Sequence, residues 1–195
     1  MWKSLPNWLL LFALGAALSH GAVIAENTVG TNHAEVYLGQ SFTTPADGPW
    51  TNISVSFGTL SGPATPTGTL YIFTSAYTGT PQDLSGASAL AQTNTIVGSE
   101  WVFSPGFTLQ SNQQYFLFLD SLIVVAGSLG NPYSGGNAYF SSDAQLAFSS
   151  GGLNDAIFQV SGTNEAVVVP EPSPFATVAT VLVGIGLGLR QRSQS

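Results

Sequence analysis

The middle of the chain alternates apolar and polar residues with the period of β-strands. Ile53, Val55 and Phe57 are separated by serines, which is the pattern of a strand with one buried face. Gln114–Asp120 is apolar almost throughout and predicts a strand buried on both faces. The other predicted strands are Val36–Thr43, Gly68–Ser75, Glu100–Ser104, Phe107–Leu109, Ala138–Ser141, Gln145–Phe148 and Ala156–Val160.

Segments rich in Gly, Pro, Asn and Ser separate these strands, at 58–68, 78–88, 127–137 and 149–154. Ala87–Gln92 favours a short helical turn, the only helical segment predicted in the middle. Short strands at this spacing predict an all-β fold, a β-sandwich of the jelly-roll-like kind.

The first 25 residues have the composition of a secretion signal. Lys3 precedes an apolar run, Trp8–Leu18, and small residues follow it. The run is too short to span a bilayer, and the order is that of a signal peptide. Cleavage after Gly21 and cleavage after Ala25 both remain open. We assign 1–25 to the signal peptide, with its helix, and 26–165 to the outer domain.

The last 30 residues, 166–195, carry a motif, an apolar run and two cations, in that order. The motif consists of Val169, Pro170, Glu171, Pro172 and Ser173. Its prolines hold the backbone extended around one carboxylate, which suits recognition by a peptide-cleaving enzyme.

The apolar run Phe175–Leu189 predicts a transmembrane helix. Its fifteen residues reach roughly 22 Å as a helix. A start near Ser173 and snorkelling of Arg190 and Arg192 would let it span a core of about 30 Å. The two arginines predict a cytoplasmic stop, which places everything upstream outside the membrane. The signal peptide requires the same topology.

This end of the chain resembles the PEP-CTERM sorting signal: Pro-Glu-Pro, then a transmembrane stretch, then basic residues. The resemblance implies processing by exosortase, a membrane transpeptidase of mostly Gram-negative bacteria that make extracellular polysaccharide. The middle is similar to choice-of-anchor outer domains over residues 34–160. That likeness rests on Gly39–Thr44, Ile53–Phe57, Gly68–Phe73 and Phe107–Leu119. It implies a β-sandwich and no particular activity.

The charge distribution limits the partners of the outer domain. All three Lys and Arg residues of the chain, Lys3, Arg190 and Arg192, lie in the two terminal segments, and the ten acids lie between residues 26 and 171. An acidic domain without cations is excluded from nucleic-acid binding by counterion release. The chain has no cysteine, so thiol catalysis, thiolate metal sites and disulfides are excluded as well.

Candidate chemistry in the middle is sparse, and we predict no catalytic activity. His33 is the only histidine there, and no Gly-x-Ser-x-Gly elbow accompanies it. The acids fall at strand ends and loops, where turn formation explains them. No cofactor and no metal site are predicted. Structural calcium remains an open alternative at the loop oxygens of Asp120, Asn131, Asp143 and Asn154–Asp155.

Exposed aromatic rings would bind sugars by stacking. Trp50 and Tyr133 fall in predicted loops, which favours exposure and makes them the candidate glycan contacts. Trp101 and Tyr139 have apolar strand neighbours and are predicted to lie in the core.

The function predicted from the sequence is that of an exported, exosortase-processed surface or matrix protein associated with exopolysaccharide or biofilm. A carbohydrate-binding module that uses loop aromatics is the alternative. The expected partners are the secretion translocon, signal peptidase, exosortase and extracellular polysaccharide. The expected location is the inner membrane as an intermediate, then the cell surface or matrix of a Gram-negative-type bacterium.

Overall fold

A computed structural model describes residues 21–150 and 155–164, which fold into two antiparallel β-sheets. The strands are β1 Ala22–Asn27, β2 Asn32–Thr43, β3 Trp50–Thr59, β4 Gly62–Pro63, β5 Leu70–Phe73, β6 Ala91–Thr93, β7 Ile96–Val97, β8 Glu100–Val102, β9 Gln114–Ser128, β10 Ala138–Ser141, β11 Ser149–Ser150, β12 Asp155–Ala156 and β13 Phe158–Asn164. Sheet A has the order β1-β13-β3-β8-β7, with β4 beside β3. Sheet B has the order β11-β10-β2-β9-β5-β6, with β12 beside β9.

The main hydrophobic core lies between the two sheets. Sheet A contributes Val55, Trp101 and Val160, and sheet B contributes Leu38 and Leu117. These side chains come from alternating positions of their strands, because every second residue of a strand faces the same side. The fold is therefore an all-β sandwich, as the sequence predicts.

A second apolar cluster covers the outer face of sheet B. Its buried members are Tyr71, Phe73, Leu84, Phe116, Phe118 and Phe148. The 3-10 helix Pro81–Gly86 contributes Leu84, which is completely buried. This cluster explains why Gln114–Asp120 is apolar on both faces: Leu117 faces the main core, and Phe116 and Phe118 face the outer cluster.

β1 forms an edge of sheet A and begins inside the segment that the sequence assigns to the signal peptide. It pairs with β13 from Ala22, opposite Gly162, to Asn27, opposite Phe158. The side chains of Ile24 and Ala25 are both buried in the main core. The segment 22–25 is therefore part of the folded domain as the structure describes it.

The structure confirms most of the predicted strands and corrects others. β10 coincides with its prediction, and β9 continues eight residues beyond Asp120. Gln145–Phe148 was expected to be a strand but lies in a turn whose Phe148 closes the outer cluster. Leu109 makes only an isolated bridge to Trp50. The predicted helical turn at Ala87–Gln92 is wrong, because the helical segment lies just before it.

Several predicted features lie outside the described residues. They are the apolar run of the signal peptide, the motif Val169–Ser173, the predicted transmembrane helix and the two arginines Arg190 and Arg192. Within residues 21–150 and 155–164, no helix is both long enough and apolar enough to cross a membrane.

Candidate functional site

The most unusual polar group of the described residues is the carboxylate of Asp155, the first residue of β12. Its side chain is 0% exposed. The backbone N–H of Tyr133 donates to Asp155 Oδ2 at 3.0 Å, and Gln40 Nε2 donates to Asp155 Oδ1 at 3.2 Å. A buried carboxylate loses its hydration and needs donors of this kind, or a cation, to remain ionised.

Gln40, in the middle of β2, is completely buried and connects three segments of the chain. Its Nε2 also donates to the carbonyl of Ser41 at 3.0 Å, and its Oε1 accepts the N–H of Ala156 at 3.1 Å. Both ends of the amide are thus bonded, as a buried amide requires. Gln40 therefore holds β12 against β2 and fixes the position of the Asp155 side chain.

Asn131 brings a third oxygen-bearing side chain to this carboxylate. With its amide oriented by its hydrogen-bond partners, the Asn131 NH2 group donates to the carbonyl of Tyr133 at 2.7 Å and to Asp155 Oδ2 at 2.8 Å. Both carboxylate oxygens of Asp155 therefore accept hydrogen bonds.

The electrostatics of the site follow from burial. Loss of solvation raises the pKa of the Asp155 carboxyl, while the hydrogen bonds from Tyr133 and Gln40 lower it. Burial also raises the pKa of the Tyr133 hydroxyl, and the charge of Asp155 adds to this increase. Burial thus disfavours the charged form of Asp155, and the hydrogen bonds that it accepts offset part of that cost.

Tyr133 is half-buried and serves as a structural contact for the loop that carries it. Its ring meets Phe158 edge-on, with the centroids 5.2 Å apart. The N–H of Thr43 donates to its hydroxyl oxygen at 3.0 Å. The ring is half-buried against the core, so Tyr133 offers a sugar less surface than an exposed loop tyrosine would.

Trp50 does not lie in an exposed loop, and this part of the prediction is wrong. It is the first residue of β3, and only 2% of its surface is exposed. Its backbone N–H and carbonyl both bond to Leu109, each at 2.9 Å, and draw the indole into the main core. A buried ring has no free face on which a sugar could stack. Trp50 and Tyr133 therefore do not form a shared exposed platform.

Of the acids considered for calcium, Asp143 bonds within its own turn, and Asp120 lies in β9 and bonds to the segment just before β5. Asp120 Oδ1 accepts the N–H of Thr69 at 2.7 Å, and Asp143 Oδ1 accepts the N–H of Gln145 at 2.8 Å. In the part of the chain that is described, no three His, Asp or Glu side chains come together as metal ligands. Among the four loop positions considered for calcium, Asn131 and Asp155 come together among the described residues, which the sequence could not predict because they are 24 positions apart.

The outer face of sheet B contains tyrosines that the sequence did not identify as a group. Tyr37, Tyr77 and Tyr139 are half-buried at the rim of the outer cluster. Tyr139 contacts Phe118 with the ring centroids 5.4 Å apart, and Tyr77 stacks on Phe73 at the same separation. Tyr139 was expected in the core and lies instead in this second cluster. Trp101 is in the main core as predicted.

The fold and these contacts define an all-β sandwich with a buried carboxylate, Asp155, that is hydrogen-bonded by Gln40, Asn131 and Tyr133. No protein-family model matches the chain, and neither a curated protein nor a solved structure matches it.

Proposed function

We propose that this chain is an exported surface or matrix protein, without catalytic activity, that exosortase processes at its C-terminal signal. One observation carries the proposal: the Pro-Glu-Pro motif, the apolar run and the terminal arginines follow one another in the order of a PEP-CTERM signal. They begin shortly after β13, which ends at Asn164. The motif therefore follows the last strand closely, as a signal attached to an outer domain would.

The composition of the domain supports an external location. Between residues 4 and 189 there is no Lys or Arg, and the polar positions are filled mainly by Ser, Thr, Asn and Gln. Such a surface interacts with water and with sugar hydroxyls through neutral hydrogen bonds, and it does not bind polyanions by charge. Association with the extracellular polysaccharide of the host is part of the proposal on this ground.

The proposal includes the jelly-roll-like class of the sandwich and the two terminal helices. The strand order supports the class, because β1, β2, β3 and β5 alternate between the two sheets. In this scheme the translocon exports the chain, signal peptidase removes the leader, and the C-terminal helix holds the protein in the inner membrane until exosortase acts. The product then remains at the cell surface or in the matrix.

Processing at the C-terminal signal is tested by the intact mass of the protein from its native host, in membrane and secreted fractions. The expected product ends near Pro170–Ser173 and lacks Arg190 and Arg192. Glu171→Ala removes the charge between the prolines, and we expect the unprocessed species to accumulate at least about tenfold in the membrane fraction, the loss that about 1.4 kcal/mol of recognition energy produces. Glu165→Ala is the matched control, because it removes a carboxylate outside the motif and should be processed normally.

A wild-type product that keeps both arginines in a host with an intact exosortase would contradict the proposal. The chain would then be a protein with an ordinary C-terminal membrane anchor. Equal processing of the Glu171→Ala and Glu165→Ala variants would show that exosortase does not recognise the carboxylate of the Pro-Glu-Pro motif.

The same mass measurement tests where the leader is removed, and we expect cleavage after Gly21. Ser19 and Gly21 supply the small-x-small pattern before the cut. Cleavage after Ala25 would divide β1 and remove Ile24 from the core, at a cost of about 2 kcal/mol in buried apolar surface. The mature chain should begin at Ala22.

Gly21→Leu places a bulky residue directly before the cut and should leave the leader attached. His20→Gln changes the neighbouring position, where the pattern is tolerant, and should be cleaved normally. A wild-type chain that begins at Glu26 would contradict the assignment and would mean that β1 does not form in the mature protein.

A further inference from the structure

Two of the six tyrosines of the chain differ from the others in the state of their hydroxyl groups. The hydroxyls of the other four take part in hydrogen bonds within the domain: those of Tyr71, Tyr77, Tyr115 and Tyr133. The hydroxyls of Tyr37 and Tyr139 have no partner among the described residues, and neither oxygen is buried. They are therefore available to a molecule outside the domain, because a phenol hydroxyl both donates and accepts hydrogen bonds.

The two tyrosines lie side by side on the outer face of sheet B. Tyr139 in β10 is directly opposite Gly39 in β2, and Tyr37 is two positions from Gly39 on the same strand. Opposed residues, and residues two apart on one strand, project to the same face of a sheet. The two side chains are therefore diagonal neighbours on adjacent strands, close enough for one extended ligand to contact both.

Packing against the outer cluster holds these rings in place. The ring of Tyr139 contacts Phe118 and Phe116, with centroid distances of 5.4 and 6.1 Å. Tyr37 packs against the same cluster, and both tyrosines are half-buried. Rings that are already fixed lose little conformational entropy when a ligand binds to their exposed parts.

A carboxylate extends this surface along β2. Glu35 is exposed and lies two positions before Tyr37, so it projects to the same face. No Lys or Arg lies between residues 4 and 189, so no such side chain in the domain neutralises its charge. An ionised carboxylate only accepts hydrogen bonds, and it therefore suits a ligand that is rich in hydroxyl donors.

We propose that Tyr37, Tyr139 and Glu35 form a binding surface for a neutral polysaccharide. A pyranose ring combines an apolar face of C–H groups with a rim of hydroxyls, and tyrosine offers an apolar ring and a polar tip to match. The acidic domain without Lys or Arg disfavours polyanionic polysaccharides. This inference rests on the association with extracellular polysaccharide in the proposed function, and it names the surface and the class of polymer.

The competing occupant of this face is a second copy of the chain. Leu122, opposite Tyr37 in β9, is 40% exposed, and Val124, opposite Glu35, is 46% exposed. A second copy would cover these apolar side chains, but it has no Lys or Arg in its own domain to pair with Glu35. Burial of an unpaired carboxylate is costly, whereas sugar hydroxyls would hydrogen-bond it at the edge of the surface.

The test is affinity electrophoresis of the full-length protein in a mild detergent whose headgroup is not a sugar. The gels contain hydroxyethylcellulose, galactomannan or dextran as neutral polymers, or alginate as a polyanion. We expect at least one neutral polymer to retard the protein and alginate to leave its mobility unchanged. Sedimentation of the same sample without polymer measures self-association.

Tyr37→Ala and Tyr139→Ala should each weaken retardation about tenfold, the loss that about 1.4 kcal/mol of ring contact produces. Tyr37→Phe and Tyr139→Phe keep the rings and the packing, and each should weaken it about threefold through loss of one hydroxyl. Glu35→Gln should weaken it about fivefold. Glu26→Gln is the matched control, because it changes an exposed carboxylate of β1 in sheet A and should bind as the wild type does.

A wild-type protein that none of the neutral polymers retards would overturn the inference. Retardation that is undiminished in both Tyr37→Phe and Glu35→Gln would overturn it too, because the polymer would then bind elsewhere. A dimer that Leu122→Ser dissociates would assign the face to a second copy. Normal processing at the C-terminal signal together with no retardation would overturn this inference alone, and retardation without processing would overturn only the sorting proposal.

Discussion

Trp101→Ala is expected to destabilise the sandwich by about 4 kcal/mol. The side chain is 0% exposed and belongs to the main core. Its ring meets Phe57 edge-on at a centroid distance of 5.8 Å, and its Nε1 donates to the carbonyl of Gly68 at 3.3 Å. Alanine would leave a large cavity between the sheets, which the surrounding strands cannot collapse to fill, since β8 is held between β3 and β7.

The measurement is the unfolding midpoint of the full-length protein, which should fall by about 10 °C. Val97→Ala is a suitable control. Val97 lies on the adjacent strand β7 and is 63% exposed, so its truncation should change stability by less than about 0.5 kcal/mol. If the two variants had the same midpoint, the indole of Trp101 could not be a core element.

Gly136→Ala is the second change with a large expected effect, a loss of about 3 kcal/mol. A Cβ added at Gly136 would lie 1.9 Å from the carbonyl oxygen of Ser41, far inside van der Waals contact. The obstacle is backbone in the middle of sheet B, so it cannot rotate away as a side chain could. The loop would have to separate from β2.

Separation would break several hydrogen bonds at once. The N–H of Asn137 donates to Ser41 Oγ at 2.8 Å, and the N–H of Ser41 donates to the Asn137 carbonyl at 2.9 Å. Gly106→Ala is the control, because a Cβ added there meets no atom within 4 Å. Both variants are measured by the same thermal unfolding. Equal midpoints for the two would mean that the loop does not lie against β2 as described.

The close packing at Gly136 also affects the surroundings of Asp155. The loop that it anchors carries Asn131 and Tyr133, whose positions relative to Asp155 depend on how closely the loop approaches sheet B. The absence of a side chain at one glycine thus permits the contact that assembles the site.

A similar contact between glycine and an aromatic ring supports the outer cluster. A Cβ at Gly39 would lie 2.5 Å from the ring of Phe118, which itself contacts Phe73, Tyr77, Tyr139 and Phe148. The flat ring lies directly over the β2 backbone because nothing projects from it at this position. The cluster gives sheet B a second buried face, which shields its outer apolar residues from water.

The sequence by itself determined the fold class and the positions of the central strands. Alternation in Ile53–Phe57 and the aromatic run Gln114–Asp120 are local patterns, and burial on one or both faces follows directly from them. The strand Ala138–Ser141 was located to the residue for the same reason. The order of the motif and the apolar run at the C-terminal end can likewise be recognised from the sequence alone, and the proposed function rests on that order.

The tertiary structure decided what depends on partners distant in the chain. The sequence assigns Ala22–Ala25 to the end of a leader, and only pairing with β13 makes these residues part of a strand. The sequence predicts that Trp50 lies in a loop, and only the structure shows its bridge to Leu109 and its place in the core. Asn131 and Asp155 are ordinary turn residues until β9 and β12 pair and bring them together. A local pattern gives the period of an element and the face that it buries. The register of its pairing, and which segments pack over its buried face, depend on contacts with residues distant in the chain.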